Sequence, residues 1–311
     1  MKFSIVTPSF NQLPFLKQTA ASVLGQTTQL DARPHPNLLP EGEGTNASAA
    51  DAGLKGQAAS SFSLREKAGM RTTVDNVSLA NFDVEWIVID AASTDGTVDF
   101  LKSLVDPRVK WISEKDAGQS DAINKGLRRA TGDIIGWLNS DDLYASGALA
   151  AVASAFEQNP AARWAVGRYE IIDEQNRPIR PGIVRYKEKQ LRRYTYRALL
   201  RENFIPQPAV FWRRDFGVEI GSLDTSLHFT MDYDLWLRMG WIHDPLFIDH
   251  LLAKFRVHAR SKTGVINRKQ FDEGYDVAKR YAAGDSSVLR SHRLSVEKIV
   301  WAYRLMRLVG K

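Results

Sequence analysis

Cysteine is absent from the 311 residues, which excludes disulfides, thiolate metal sites and cysteine nucleophiles. Its absence agrees with a reducing compartment without requiring one. No stretch approaches the roughly 20 apolar residues that a membrane-spanning helix needs. The opening run from Met1 to Pro8 is too short for the apolar core of a signal peptide. A protein made and kept in the cytoplasm is therefore expected. Glycine is missing between Thr7 and Leu13, so the turn after the first apolar run lacks the Gly-x-Gly-x-x-Gly fingerprint of a nicotinamide enzyme. No internal repeat is visible.

Hydrophobic residues make up 44% and charged residues 25%, enough for a sizeable core in one large domain or two ordinary ones. The net charge of +6 is unevenly placed. Between Arg177 and Arg214 stand eleven Lys/Arg (177, 180, 185, 187, 189, 192, 193, 197, 201, 213, 214) against Glu188 and Glu202. That is 11 − 2 = +9 locally, leaving 6 − 9 = −3 for the rest. Such a stretch is either a solvated face or a surface that attracts an anionic acceptor or membrane leaflet. No signature of an RNA- or DNA-binding module accompanies it, so no nucleic-acid partner is expected.

Along the chain, short β-branched runs alternate with segments of helical spacing. Strands are expected over 3–7, 84–90, 109–113 and 133–138, and helices over 13–25, about 93–105 with Ser93 or Thr94 as cap, 118–130 and 146–158. Residues 28–83 break the pattern: prolines, glycines, Ala and Ser dominate, as in a largely disordered insertion, with a short helix over 64–70. Beyond 164 come strands near 164–173, 209–213 and 246–255 and helices near 187–201 and 232–240. The alternation implies an α/β fold with a mostly parallel, mixed sheet between helices. In such sheets ligands bind beyond the carboxyl ends of the strands, where Asp90, Asp141 and Asp142 stand in sequence.

Adjacent carboxylates repel and need a cation or strong donors to stay charged. For Asp141-Asp142, Mg2+ or Mn2+ meets that need with oxygen ligands; capping of the next helix is the structural alternative. The pair has ordered company. Thr7-Pro8-Ser9-Phe10-Asn11, Ile89-Asp90-Ala91-Ala92-Ser93-Thr94-Asp95-Gly96-Thr97, Gly118-Gln119-Ser120-Asp121-Ala122-Ile123-Asn124-Lys125-Gly126 and Gly136-Trp137-Leu138-Asn139-Ser140-Asp141-Asp142 follow one another. Together they resemble the family 2 glycosyltransferases, which have the GT-A fold. The likeness covers 1–27 and 84 to about 262.

The resemblance implies a GT-A domain over 1–262, interrupted by 28–83, with 263–311 as a basic helical extension. It implies that Asp142 ligates a divalent metal (Mg2+ or Mn2+), that Asp141 binds the metal or the ribose, and that His258 is a further metal ligand or diphosphate contact. Asp90 would meet the nucleoside, with Pro8, Ser9 and Asn11 lining its pocket and Ser93, Asp121 and Asn124 facing the donor. Ser93 and Asp95 also read as turn and cap residues, and Asp121 and Asn124 as a solvated helix face. Many members carry a second acid after the nucleoside-binding Asp, where this chain has Ala91; UDP is thus only a first expectation. Gln207 matches a position near the acceptor cleft. Asp232, in Met231-Asp232-Tyr233-Asp234-Leu235-Trp236, matches the general base that takes the acceptor proton, with Asp234 in reserve and helix capping as the alternative.

The expected activity is inverting transfer from a nucleotide-sugar donor to a saccharide or lipid-linked saccharide acceptor, in cell-surface polysaccharide or lipopolysaccharide synthesis. A non-catalytic sugar- or nucleotide-binding relative of the same fold is the rival, since Ala91 and the insertion could signal decay. A glycosidase also uses two carboxylates but has no need of a metal–diphosphate loop. Residues 288–311 read as a basic helix, packed on the domain or lying peripherally on the inner membrane surface.

Overall fold

The computed structural model describes residues 1–26, 71–72, 81–261 and 268–308. Most of the expected insertion, and the short helix expected over 64–70, lie outside the described residues. In chain order the elements of the first half are β1 (Lys2–Ser9), α1 (Leu13–Leu24), β2 (Arg71–Thr72), β3 (Asp83–Asp90), α2 (Thr97–Ser103), β4 (Val109–Ser113), α3 (Gln119–Leu127), β5 (Ile134–Trp137), β6 (Leu143–Tyr144) and α4 (Ala148–Gln158). The second half holds β7 (Trp164–Ile172), β8 (Pro178–Ile179), α5 (Pro181–Leu191), α6 (Tyr196–Arg201), a 3-10 turn (Gln207–Ala209), β9 (Val210–Arg213), α7 (Arg214–Ile220), α8 (Met231–Ile242), β10 (Leu246–Arg256), α9 (Arg268–Tyr281) and α10 (Ser286–Leu308).

The strands form one sheet in the order β2-β10-β7-β9-β5-β1-β3-β4, with β6 on β10 and β8 on β7. Pairings β1–β3, β1–β5, β3–β4 and β7–β10 are parallel. The inserted β9 runs antiparallel to both β5 and β7, so the ends of β1, β3, β5, β7 and β10 point the same way. Side chains alternate across the sheet as the pleat requires. Phe3, Ile5, Val84, Trp86 and Val88 pack with α1 and α4 on one face. Val6, Ile87 and Ile89 pack with α3 and the core around α6 and α8 on the other. α3 lies tight against β1, and a Cβ at Gly126 would overlap the Val6 side chain.

Several elements differ from expectation for identifiable reasons. α2 starts at Thr97, after Gly96, because the N–H and hydroxyl of Ser93 both go to the Asp90 carboxylate. The single helix expected over 187–201 is two. α5 begins early, with proline in its first turn, and Thr195 caps α6 by accepting the Ala198 N–H at 3.1 Å. Within the stretch expected as an insertion, Arg71–Thr72 pairs with Phe247–Ile248. α10 buries Val288 and His292 and leaves Leu294 and Trp301 about two-thirds exposed. No helix among the described residues is long and apolar enough to cross a membrane.

Candidate active site

A cleft of about 1580 Å³ opens over the carboxyl ends of β1, β3, β5, β7 and β10, where ligands of such sheets bind. Its sheet-side wall includes Pro8, Ser9, Asn11, Ala91, Ala92 and Gln119. Asn11 (φ 50°) and Ala92 (φ 57°) sit in the left-handed region, which non-glycine residues rarely adopt. The loops hold each other there: the Asn11 N–H donates to Ser93 Oγ (2.8 Å) and Asn11 Oδ1 accepts from the Thr94 N–H (2.8 Å). Ser9 Oγ is buried without a hydrogen-bond partner, and an orphaned polar atom beside a cleft calls for a ligand or water.

Three donor-side expectations need correction. Asp90 is fully buried and does not line the cleft. It accepts from Ser93 N–H (2.9 Å), Ser93 Oγ (2.5 Å) and Ser113 Oγ (2.6 Å). Ser93 of its own loop and Ser113 of β4 supply these donors, so Asp90 and Ser93 shape the sheet-side wall of the cleft from beneath. Asp121 turns back to the Ala117 N–H (3.1 Å) and pairs with Lys125 (3.2 Å) on the outer side of α3. Asn124 is buried, its amide clamping the backbone of Leu223 in both directions (3.0 and 2.9 Å). From α3 it is Gln119 and Ala122 that face the cleft.

The acidic turn divides its two carboxylates. Asp142 is 0% exposed, its Oδ1 accepting the Arg256 N–H (2.8 Å) and its Oδ2 the Asn139 amide (3.3 Å). Burial, and secondly the Asp141 charge, push its pKa well above the ordinary range. Asp142 therefore points inward, contrary to its expected role as the principal metal ligand. Asp141 lines the cleft, with Oδ2 at 3.0 Å from His258 Nε2. The buried Arg256 fixes this turn by donating from Nε to the Asp141 carbonyl (2.7 Å), while its guanidinium packs 4.8 Å from the Phe15 ring. The Thr19 hydroxyl reaches the carbonyls of Ser140 and Asp142, 2.9 Å each.

Asp141 and His258 offer an oxygen and a nitrogen donor, a set compatible with Mg2+ or Mn2+. Among the described residues no group of three or more His, Cys, Asp or Glu could hold a metal. A cation held by these two would draw its other ligands from substrate phosphate and water, the usual mode for Mg2+. His258 Nδ1 accepts the Arg260 N–H (3.3 Å), which leaves the proton on Nε2 facing Asp141. Ligation through Nε2 requires the other tautomer.

Helices build the opposite wall. Asp232, in the first turn of α8, is half-buried on the cleft; its Oδ1 accepts the Tyr233 N–H (2.7 Å) and its Oδ2 lies 3.5 Å from the Asn203 amide. Burial raises its pKa. Thr230, not Asp232, is the N-cap residue. Asp234 is buried away from the cleft, bonded to Arg238 (2.9 Å) and the Tyr281 hydroxyl (2.7 Å), so it does not serve as a reserve. Glu273 of α9 accepts the N–H groups of His228, Phe229 and Thr230 (3.0, 2.8 and 2.7 Å), fixing the entry to α8. Nothing in the sequence signals this tie, because it spans more than forty residues. Gln207 also lines the cleft and joins Asn139 (2.8 Å) to the Trp137 carbonyl (2.5 Å).

The family model described as "Glycosyl transferase family 2" matches residues 64–219, half of the chain. This chain belongs to that family. The match starts earlier than residue 84 and stops before Asp232 and His258. A glycosyltransferase of Mycobacterium tuberculosis, described as uncharacterized, is 27% identical over 62% of this chain and 72% of its own length. One of Rickettsia typhi is 26% identical over 62% and 61%. Among solved structures, Staphylococcus aureus TarS 1-349 in complex with UDP-GlcNAc superposes with a TM-score of 0.57 at 13% identity, over 94% of this chain and 69% of that one. The mannosyltransferase PcManGT of Pyrobaculum calidifontis, in complex with GDP-Man and Mn2+, gives 0.57 at 15%, over 99% and 76%. The fold of these glycosyltransferases, GT-A, is the fold of this chain.

Proposed function

We propose that this glycosyltransferase moves a sugar from a nucleoside-diphosphate donor to a hydroxyl acceptor with inversion, and that Asp232 is the general base. The carrying observation is that Asp141, backed by the buried His258, and the half-buried Asp232 line one cleft, on opposite walls. Donor nucleoside and diphosphate lie along Pro8, Ser9, Asn11, Ala91 and the Asp141 turn. Asp232 accepts the acceptor's proton as its oxygen bonds to the anomeric carbon. The bond from that carbon to the diphosphate breaks, and the nucleoside diphosphate leaves with the electron pair. Asp141 and His258 would hold a divalent cation, which supplies charge neutralisation at the departing diphosphate.

UDP remains the first expectation for the nucleotide. The similar structures carry UDP-GlcNAc in one case and GDP-Man in the other, so both bases belong in the test. The expected pathway is cell-surface polysaccharide or lipopolysaccharide synthesis, in the cytoplasm or on the cytoplasmic face of the membrane. Exposed Leu294 and Trp301, seven residues apart on α10, support a peripheral contact; liposome flotation with and without residues 288–311 checks it.

The decisive assay is nucleoside diphosphate release from UDP-glucose, UDP-GlcNAc, UDP-galactose and GDP-mannose with Mn2+. Turnover of one donor, abolished by chelator, is expected. Tight binding without any release moves the chain to the non-catalytic, nucleotide-sugar-binding reading.

A further inference from the structure

We propose that the acceptor carries an anionic group, a carboxylate or a phosphate, and that Lys187 with Arg201 binds it on the helical wall beside Asp232. The inference rests on the transferase reading of the cleft.

Five of the eleven bases between Arg177 and Arg214 are visibly occupied elsewhere. Arg177 pairs with Asp173, Arg192 with Glu188 and Asp249, and Arg197 with Asp285. Arg213 and Arg214 donate to backbone carbonyls. Lys187 and Arg201 differ: both line the cleft, and neither makes a hydrogen bond or ion pair with the described residues. Lys187 feels the charges of Glu202 and Asp232 from beyond ion-pair distance. Both acids have their own donors, the Tyr186 hydroxyl for Glu202 (2.8 Å) and the Tyr233 N–H for Asp232 (2.7 Å).

A lysine held against a half-buried wall without a partner is costly to keep charged; burial lowers its pKa accordingly. An anion between Lys187 and Arg201 would remove that cost through charge-assisted hydrogen bonds. The position beside Asp232 fixes where on the acceptor the anion sits: close to the hydroxyl that attacks. A neutral sugar would leave the ammonium unsatisfied, so the wall selects against it.

The test uses the full chain with its donor side filled by saturating nucleoside diphosphate and Mn2+. Glucuronate, glucose 6-phosphate and glucose, which share a ring and differ in charge, are titrated by calorimetry or saturation-transfer NMR. Wild type should bind one charged sugar at least about tenfold tighter than glucose, the scale of a charge-assisted hydrogen bond. Preference for glucuronate assigns a carboxylate, and preference for glucose 6-phosphate a phosphate. Lys187→Met should abolish the preference, and Lys187→Arg should keep it. Equal binding of all three by wild type, or an unchanged preference in Lys187→Met, overturns the inference. If Lys187→Met loses its circular dichroism signature, Lys187→Gln replaces it, judged by the same two outcomes. Failure of wild type to bind any of the nucleoside diphosphates with Mn2+ would instead sink the transferase reading.

Discussion

The two walls of the cleft treat their acids in opposite ways. On the sheet side, carboxylates that follow strands are saturated by their surroundings. Asp90 takes three donors from its own loop and from β4, and Asp142 takes the Arg256 N–H and the Asn139 amide. Glu85, within β3, gathers Ser4, Lys110 and both donors of Thr131. On the helical side, Asp232 keeps only a backbone N–H and a long contact to Asn203. A saturated carboxylate builds a shape; an undersatisfied one at a solvent-filled cleft retains a lone pair for a substrate proton. Asp141, on the sheet side but turned outward, is the exception there, while Asp234 and Glu273, behind the helical wall, are saturated and likewise build shape.

The largest expected effect tests the undersatisfied wall. Asp232→Asn should lower kcat about a thousandfold while nucleoside diphosphate affinity stays within about twofold, measured by steady-state kinetics and calorimetry; unchanged turnover removes Asp232 as base. Next, Glu85→Gln should cost about 2 kcal/mol in urea unfolding, the scale of hydrogen bonds to a charged group that is buried while its lysine partners are half-exposed. Here the folded pKa lies below the free value of 4.5. The contribution of Glu85 is therefore complete above that value and is lost as pH falls, so wild type and variant should converge in acid. A third comparison separates the neighbours in the acidic turn. Asp141→Asn should weaken Mn2+-dependent nucleotide binding about thirtyfold. Asp142→Asn, which keeps the shape and the acceptor for Arg256, should change it less than about threefold. Equal losses would erase the division drawn between them.

The smallest effect is a shift in pH dependence. Asp232 must be deprotonated to act, and burial raises its pKa above 3.8, so kcat/KM should fall on the acid side at a higher pH than an ordinary aspartate gives. Lys187 opposes that rise. Lys187→Met should therefore move the acid limb to still higher pH, and a limb unmoved by the change would uncouple the two residues.

Legibility followed the range of the interactions. The strands over 84–90, 109–113 and 133–138 and the helices between them stood out because burial on a parallel sheet imposes apolar runs and helical spacing. The break between α5 and α6 did not, because Thr195 as a cap looks like any other threonine in a polar stretch. The motifs around Pro8, Asp90, Gly118 and Asp141 marked which loops form the cleft, yet not which atoms within them face it. Asn124 and Asp121 lie three residues apart on α3; neither lines the cleft, and Gln119 and Ala122 do.

The positions of the main strands along the chain, the identity of the loops at their carboxyl ends and the acidic character of the 139–142 turn were determined by the sequence itself, since each rests on residues near one another in the chain. Which carboxylate remains available was decided only by tertiary structure. Hydrogen-bond donors distant in sequence settle it: Arg256 draws Asp142 inward, His258 leaves Asp141 at the cleft, and Tyr281 removes Asp234. A charge is spent or available according to the donors that surround it in space, and that inventory exists only after the chain has folded.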